Sequence, residues 1–232
     1  MTGGTMIVAH RRKYAVLLAL LLIALAIESA SARGAERYLS DTFRTFLGIA
    51  IWFVVFKRPR ERIAMAAVLV AATAFSWARY LGGESLDRAL SLTEQVLVAL
   101  FLWSAVCVIL RDLFRAPTTT AENVLGTICG YIIAGDAWAR INAIAYLLVP
   151  TAYSINPEIA ALLPHWHGRV ALFTYYAFAQ VLTIGYSDVT PIAAPATTLS
   201  LFAALFGVFY TAVVVSVFVG LAQSAKGGEG KD

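Results

Sequence analysis

Six apolar stretches alternate with short polar connections along the chain, and each is long enough to cross a lipid bilayer as a helix. A transmembrane helix needs about 20 apolar residues. The stretches are continuous and lack the alternation of lipid-facing β-strands, which argues against a membrane barrel. The pattern therefore predicts an all-α integral membrane protein with about six transmembrane helices. They cover residues 13–32, 39–56, 63–82, 92–111, 119–149 and 195–223.

A further apolar stretch, from Val170 to Val181, lies between the last two and is too short to cross. A half-helix fits its length better. It is followed by a polar, glycine-containing segment, residues 182–188, with the sequence Leu-Thr-Ile-Gly-Tyr-Ser-Asp. Non-helical backbone at membrane depth is tolerated only where protein buries it or where it lines a water-filled cavity. The order of half-helix, loop and full helix predicts a re-entrant helix and loop between the last two transmembrane helices.

The first apolar stretch has two interpretations. A basic cluster at residues 10–13, apolar residues 14–27 and small residues 30–32 are arranged as in a secretory signal peptide. If Glu28 lies near a membrane interface, the apolar segment is about 19 residues long, which suffices for a retained helix. Both interpretations stay open, and both keep the basic cluster in the cytoplasm.

Composition excludes an ordinary soluble domain, because 60% of the 232 residues are hydrophobic and the mean hydropathy is +0.75. Membrane lipid is therefore the expected environment. The net charge of +4 is typical of basic cytoplasmic connections, and no basic stripe interleaved with aromatic residues indicates a nucleic-acid partner. Cys107 and Cys129 lie inside apolar stretches and are interpreted as small hydrophobic residues. His165 and His167 lack a third ligand in sequence, so they indicate a polar surface rather than a metal site.

The distribution of basic residues predicts the orientation of the helices. Eleven lysines and arginines belong to connections and termini that share one side of the membrane. The opposite connections hold six arginines diluted by eight acidic residues. By the positive-inside rule we expect a multi-pass protein of the inner (cytoplasmic) membrane, with residues 182–188 outside and both termini cytoplasmic if the first helix is retained. The eleven residues are Arg11, Arg12, Lys13, Lys57, Arg58, Arg60, Arg62, Arg111, Arg115, Lys226 and Lys231.

Two ionisable residues interrupt the fifth stretch. Asp136 and Arg140 stand four residues apart, on one face of a helix, where they can form an intramembrane ion pair. Ionisable groups inside a membrane are costly and often functional. A mutually neutralising pair that positions the helix also explains them, and this structural interpretation is favoured.

Residues 131–221 resemble the two-helix pore module of the ion-channel (potassium-channel) family. Within them, residues 183–186, Thr-Ile-Gly-Tyr, are similar to the selectivity filter of that family, and Asp188 to the acid that usually follows it. Residues 173–176, Phe-Thr-Tyr-Tyr, resemble its aromatic-rich pore helix, and residues 205–210 resemble its inner helix.

The resemblance implies a division of the chain into three parts. An N-terminal four-helix membrane region covers residues 1–115, with a first helix that is either retained or a signal peptide. A pore domain of outer helix, turret, pore helix, filter and inner helix covers residues 116–225, and a short cytoplasmic tail covers residues 226–232. Gly207 is the candidate hinge of the inner helix, although close packing through a small residue explains it equally well.

The chemistry of the filter follows from the resemblance. In this family backbone carbonyl groups replace the hydration shell of potassium. The implied ion-binding residues are Thr183, Ile184, Gly185, Tyr186 and Ser187. One loop per chain implies a homotetramer. Glycine suits position 185 because a strand whose carbonyls share one axis needs a positive φ. No cofactor is predicted, and no metal beyond the permeant K⁺.

The resemblance also assigns roles to residues around the filter. Tyr175, Tyr176 and Asp188 are the implied supports that hold the loop open. Two residues depart from the family pattern: Ser187 stands where a second glycine is usual, and Leu182 where a threonine is usual. A serine forced into the left-handed region costs about 1–2 kcal/mol. The serine therefore predicts a preference for potassium over sodium that is weaker than that of a two-glycine filter, whereas the leucine removes a hydroxyl behind the filter with no replacement in the sequence.

The sequence thus predicts a potassium-preferring tetrameric channel that conducts passively. It does not sense voltage, because residues 92–110 contain no basic residue. A weakly selective cation channel, or a non-conducting membrane protein with a regulatory role, stays open as the alternative. A potassium-uptake transporter is disfavoured, since those carry four such loops in one chain and this chain has one. An enzyme is not predicted, because no acid–base pair or metal-ligand set shares one depth.

Overall fold

The structure, a computed structural model, describes residues 13–31, 37–80, 84–115, 120–164, 166–186 and 188–228. Within these ranges the chain forms eight α-helices, one short 3-10 helix and two three-residue strands. The long helices are α1 Lys13–Ser31, α2 Arg37–Val55, α3 Pro59–Ala78, α4 Glu84–Phe114, α5 Ala121–Leu148 and α8 Ala194–Gly228. The shorter elements are β1 Tyr153–Ile155, α6 Pro157–Ala160, α7 Trp166–Val181 and β2 Val189–Pro191.

Six of the described helices, α1 to α5 and α8, are long and apolar enough to cross a membrane. This confirms the prediction of an all-α integral membrane protein. The helix ends differ from the hydropathy boundaries where local backbone chemistry decides them. α3 begins at Pro59 rather than at residue 63, because proline suits the first turn of a helix. Thr120 caps α5, its side-chain oxygen accepting a hydrogen bond from the Asn123 N–H at 3.2 Å.

The main hydrophobic core lies between α1, α2, α4 and α5. α1 contributes Tyr14, Leu17 and Leu21, all of them buried. A Cβ atom at Gly126 of α5 would meet the Tyr14 ring at 3.2 Å, so the two helices pack closely. The first helix is thus part of this core rather than an appendage to it.

A second core lies under the connection between α5 and α7. Tyr153, Phe173 and Tyr176 pack edge to face there, with ring centroids 5.3, 5.7 and 6.5 Å apart. β1 pairs antiparallel with β2, and Tyr153 lies opposite Pro191. Strands of three residues have no readable period in the sequence, so the hydropathy pattern did not predict this pair. This strand pair connects the segment before α7 to the segment after residues 182–188. We call residues 182–188 the polar loop.

α7 packs against both α5 and α8. Its 16 residues extend about 24 Å, less than the roughly 30 Å of a hydrocarbon core. The Tyr131 hydroxyl of α5 donates a hydrogen bond of 3.0 Å to the carbonyl oxygen of Val181, the last residue of α7. This length agrees with the half-helix expected from the sequence, and its re-entrant course stays a prediction.

Candidate functional site

The polar loop leaves the C-terminal end of α7 through a Schellman-type cap. The Thr183 N–H donates to the Gln180 carbonyl at 2.9 Å, and the Ile184 N–H donates to the Ala179 carbonyl at 2.8 Å. These are the two hydrogen bonds of that motif, in which one residue adopts a left-handed conformation. Here it is Thr183, with φ of 57°, at a position where glycine is usual. The cap turns the start of the polar loop back towards its own helix.

The N–H and C=O groups of the polar loop differ in their pairing. The Ile184 and Gly185 N–H groups both donate to the Ala179 carbonyl, at 2.8 and 3.2 Å. No described residue donates a hydrogen bond to the carbonyl oxygens of residues 183–186. The side chains of Ile184 and Tyr186 are about half exposed, at 51% and 50%. Within the described part of the chain these four carbonyl oxygens thus have no hydrogen-bond donor, and backbone carbonyl oxygen is the ligand type used in carbonyl-lined filters.

Gly185 has a conformational reason to be glycine. Its φ is +69°, and no atom lies within 4 Å of where a Cβ would stand. Space would therefore permit a side chain, but the left-handed backbone disfavours one. The sequence predicted a positive φ at this residue, and the structure has one.

Tyr175 lies against the polar loop. Its ring stacks on the ring of Tyr186, with centroids 5.5 Å apart and planes inclined by 15°. Its hydroxyl donates a hydrogen bond of 3.0 Å to Asp188 Oδ2. One side chain thereby contacts residues on both sides of position 187.

Tyr176, the next residue of α7, makes different contacts. It is buried, and its hydroxyl lies 2.5 Å from the Ser200 Oγ of α8. Of the two tyrosines that the sequence singled out, the structure therefore brings Tyr175 to the polar loop and places Tyr176 between α7 and α8. Ser187 lies outside the described residues. Leu182 is half exposed, and its N–H donates to the Phe178 carbonyl at 2.9 Å.

Gly207 lies where α8 meets the end of α7. A Cβ atom there would stand 1.9 Å from the Val181 carbonyl oxygen, a separation that no side chain could occupy without displacing backbone. α8 is helical on both sides of Gly207. Close packing therefore accounts for this glycine, and its role as a hinge stays a prediction.

Asp136 and Arg140 form an ion pair in α5. Asp136 Oδ1 accepts from Arg140 Nη2 at 2.6 Å and from Nε at 3.1 Å, and Arg140 is buried. Both residues line a cavity of about 100 Å³ whose walls come from α1 to α5. No residue that the structure describes in α7, the polar loop or α8 lines it. The pair thus belongs to the interior of the first five helices rather than to the polar loop.

The prediction that the two histidines form a polar surface is wrong for His167, in the first turn of α7. It is buried, with 9% of its surface exposed, and its Nε2 lies 3.3 Å from Asp41 Oδ1. The sequence analysis missed this contact because 126 positions separate the two residues. The one sequence feature that could have indicated this contact was Asp41, an acidic residue next to an apolar stretch. Among the described residues, no group of three or more histidine, cysteine or acidic side chains could hold a metal ion.

The long apolar helices make this chain a multi-pass membrane protein. Residues 166–224 match a protein-family model described as an ion channel. The match begins at the first residue of α7 and continues through the polar loop into α8, so it covers the helix, loop and helix described above. This segment is therefore an ion-channel domain, which confirms the resemblance drawn from its sequence. Comparisons with curated proteins and with solved structures find no match.

Proposed function

We propose that this protein is a potassium-preferring channel that conducts passively through a filter formed by the polar loops of four identical chains. One observation carries the proposal: the carbonyl oxygens of residues 183–186 accept no hydrogen bond from a described residue, while two neighbouring N–H groups are tied to Ala179. Free carbonyl oxygens in a row are what a dehydrated monovalent cation requires.

The exposure of the polar loop supports the proposed homotetramer. One chain supplies a single loop, and half of the Ile184 and Tyr186 surface is open. Non-helical backbone in a bilayer must be enclosed by protein or face water. Four copies around an axis satisfy both conditions, because each loop packs on its neighbours and turns its carbonyl oxygens to a central water-filled path.

The filter in this proposal consists of Thr183, Ile184, Gly185, Tyr186 and Ser187. Tyr175 and Asp188 support it through the contacts described above, whereas Tyr176 acts more remotely by fixing α7 to α8. The preference for potassium over sodium is weaker than that of filters with two glycines. The reason is the serine at position 187, where a second glycine is usual.

Voltage sensing is not part of the proposal. The two arginines of α4, Arg88 and Arg111, lie near its ends and are already engaged. Arg88 donates to the Leu147 carbonyl, and Arg111 pairs with Glu61 at 2.6 Å. A sensor needs several basic residues in series within the membrane. We propose that the protein lies in the inner (cytoplasmic) membrane, with both termini in the cytoplasm if the first helix is retained.

Ion flux into liposomes tests this function. Purified protein is reconstituted into vesicles, and uptake driven by a potassium gradient is compared with uptake driven by an equal sodium gradient. We expect potassium uptake to be faster, and Gly185→Ala to abolish it. Gly48→Ala is the matched control, because a Cβ there meets only the tip of the Leu69 side chain. Equal uptake of both ions would favour the weakly selective alternative, and no uptake of either would favour a non-conducting regulator.

A further inference from the structure

A side-chain hydrogen bond joins the first helix to α7. The Thr174 hydroxyl donates to Glu28 Oε1 at 2.6 Å, across 146 positions of sequence. Both side chains are buried, with 6% of Thr174 and 8% of Glu28 exposed. Removing either partner from a buried hydrogen bond leaves the other unsatisfied, which is costly. Glu28 belongs to α1 and thus lies outside the ion-channel domain at residues 166–224.

Thr174 directly precedes Tyr175, the residue of α7 that contacts the polar loop. Successive residues of an α-helix stand about 100° apart around a common axis. A rotation of α7 about that axis therefore moves both side chains together. The Tyr175 hydroxyl lies 3.0 Å from Asp188 Oδ2, and a hydrogen bond is lost when this distance exceeds about 3.5 Å. A small rotation of α7 is thus enough to break the contact with Asp188.

Packing constrains this part of α7 incompletely. Thr174 and Tyr175 both line a cavity of about 960 Å³, whose other walls come from α1, α6 and Asp188. Side chains that border open space have fewer van der Waals contacts to hold them in place. A directional hydrogen bond at the wall of this cavity therefore restrains the helix where packing does not.

Two side-chain hydrogen bonds tie the middle of α7 to its neighbours. Tyr176 is bound to Ser200 of α8, and Thr174 is bound to Glu28 of α1. A single bond would leave α7 free to turn about that point. Two bonds to different helices oppose such a rotation, so the bond to Glu28 complements the one to Ser200.

The helix that carries Glu28 is itself firmly held. Tyr14, Leu17 and Leu21 of α1 are buried in the main core. Residues at this spacing lie on one face of a helix, so that face of α1 is fixed against its neighbours. Arg44 of α2 also interacts electrostatically with Glu28. Glu28 is therefore a firm point of attachment for α7.

We propose that Glu28 is a positioning residue for the filter. Acting through Thr174, it fixes the rotation of α7 and thereby keeps Tyr175 in contact with Asp188 and Tyr186. The proposal rests on the proposed function and deepens it, because it assigns to α1 a part in the ion selectivity of the polar loop.

The permeability ratio of potassium to sodium tests this role in single and double variants. Glu28→Met and Thr174→Val each remove one partner and nearly keep the size of the side chain. We expect each to lower the ratio by roughly fivefold, and the double variant to fall no further, since all three lack the same bond. Glu28→Gln keeps an acceptor and Thr174→Ser keeps a hydroxyl, so both should retain the wild-type ratio.

Thr127→Val is the matched control for these measurements. Its buried hydroxyl donates to carbonyl groups of its own helix, α5, so we expect the ratio to equal that of wild type. An unchanged ratio in Glu28→Met or Thr174→Val would overturn the proposal. Full addition of the two effects in the double variant, or an equal fall in Thr127→Val, would overturn it as well.

Hydrogen exchange gives a second reading that does not depend on conduction. The N–H groups of Ile184 and Gly185 are bonded to the Ala179 carbonyl of α7, so their exchange reports how firmly the polar loop is held. We expect exchange at least about threefold faster in Thr174→Val than in wild type or in Thr127→Val. Equal exchange in all three proteins contradicts the positioning role. Absence of ion flux would contradict the channel assignment alone and leave this comparison valid.

Discussion

Tyr175 donates a hydrogen bond of 3.0 Å from its hydroxyl to Asp188 Oδ2. Because the same ring stacks on Tyr186, this bond closes a bridge from α7 to residues on both sides of position 187 in the polar loop. A loop whose carbonyl oxygens coordinate ions has to keep them at fixed separations. The bridge provides that rigidity from within one chain.

Tyr175→Phe removes the hydroxyl and keeps the ring. A single hydrogen bond contributes about 1 kcal/mol, so we expect the potassium-to-sodium permeability ratio to fall by roughly fivefold. Tyr146→Phe is the control, because that ring packs on Phe173 away from the polar loop. The ratio is measured from reversal potentials of the reconstituted variants. An unchanged ratio in Tyr175→Phe would show that the bridge does not hold the filter.

Gly207→Ala tests the contact between α8 and the end of α7. The added methyl would overlap the Val181 carbonyl oxygen, so the two helices have to separate. We expect a loss of about 1–3 kcal/mol in the free energy of unfolding, together with loss of ion flux. Gly48→Ala, where a flexible Leu69 side chain can move aside, should change neither property appreciably. Normal stability with altered gating would instead favour the hinge interpretation of Gly207.

Much of the fold could be predicted because its signals are local. Runs of apolar residues indicated the long helices, and the length of α7 followed from the short run that ends at Val181. The positive φ at Gly185 also followed from residue type. Contacts between distant segments could not be predicted. The choice of Tyr175 over Tyr176 depends on the rotation of α7, and the burial of His167 depends on Asp41, which lies on another helix.

Ser187→Gly tests the departure from the two-glycine pattern. Glycine adopts the left-handed backbone at little cost, whereas serine loses about 1–2 kcal/mol there. We expect the substitution to raise the permeability ratio of potassium to sodium. Ser154→Gly, in β1, controls for the same exchange of serine for glycine outside the polar loop. A ratio that stays equal or falls would refute the account of weak selectivity.

The packing of α1 predicts that the first helix is retained. Leu17 is 1% exposed in the main core, whereas its neighbour Val16 is 59% exposed. Leu17→Ala should therefore lower the free energy of unfolding by about 2–5 kcal/mol. Val16→Ala should have little effect. The intact mass of purified protein provides the complementary measurement, and a mass that begins after residue 32 would contradict retention.

The reversal potential of the purified protein in a planar bilayer tests the central claim most directly. Potassium chloride is placed on one side and an equal concentration of sodium chloride on the other. If the carbonyl oxygens of residues 183–186 form a potassium filter, the current reverses at a potential displaced towards the potassium equilibrium potential, and Gly185→Ala abolishes the current. A reversal at zero, or no current from wild-type protein, would contradict the account.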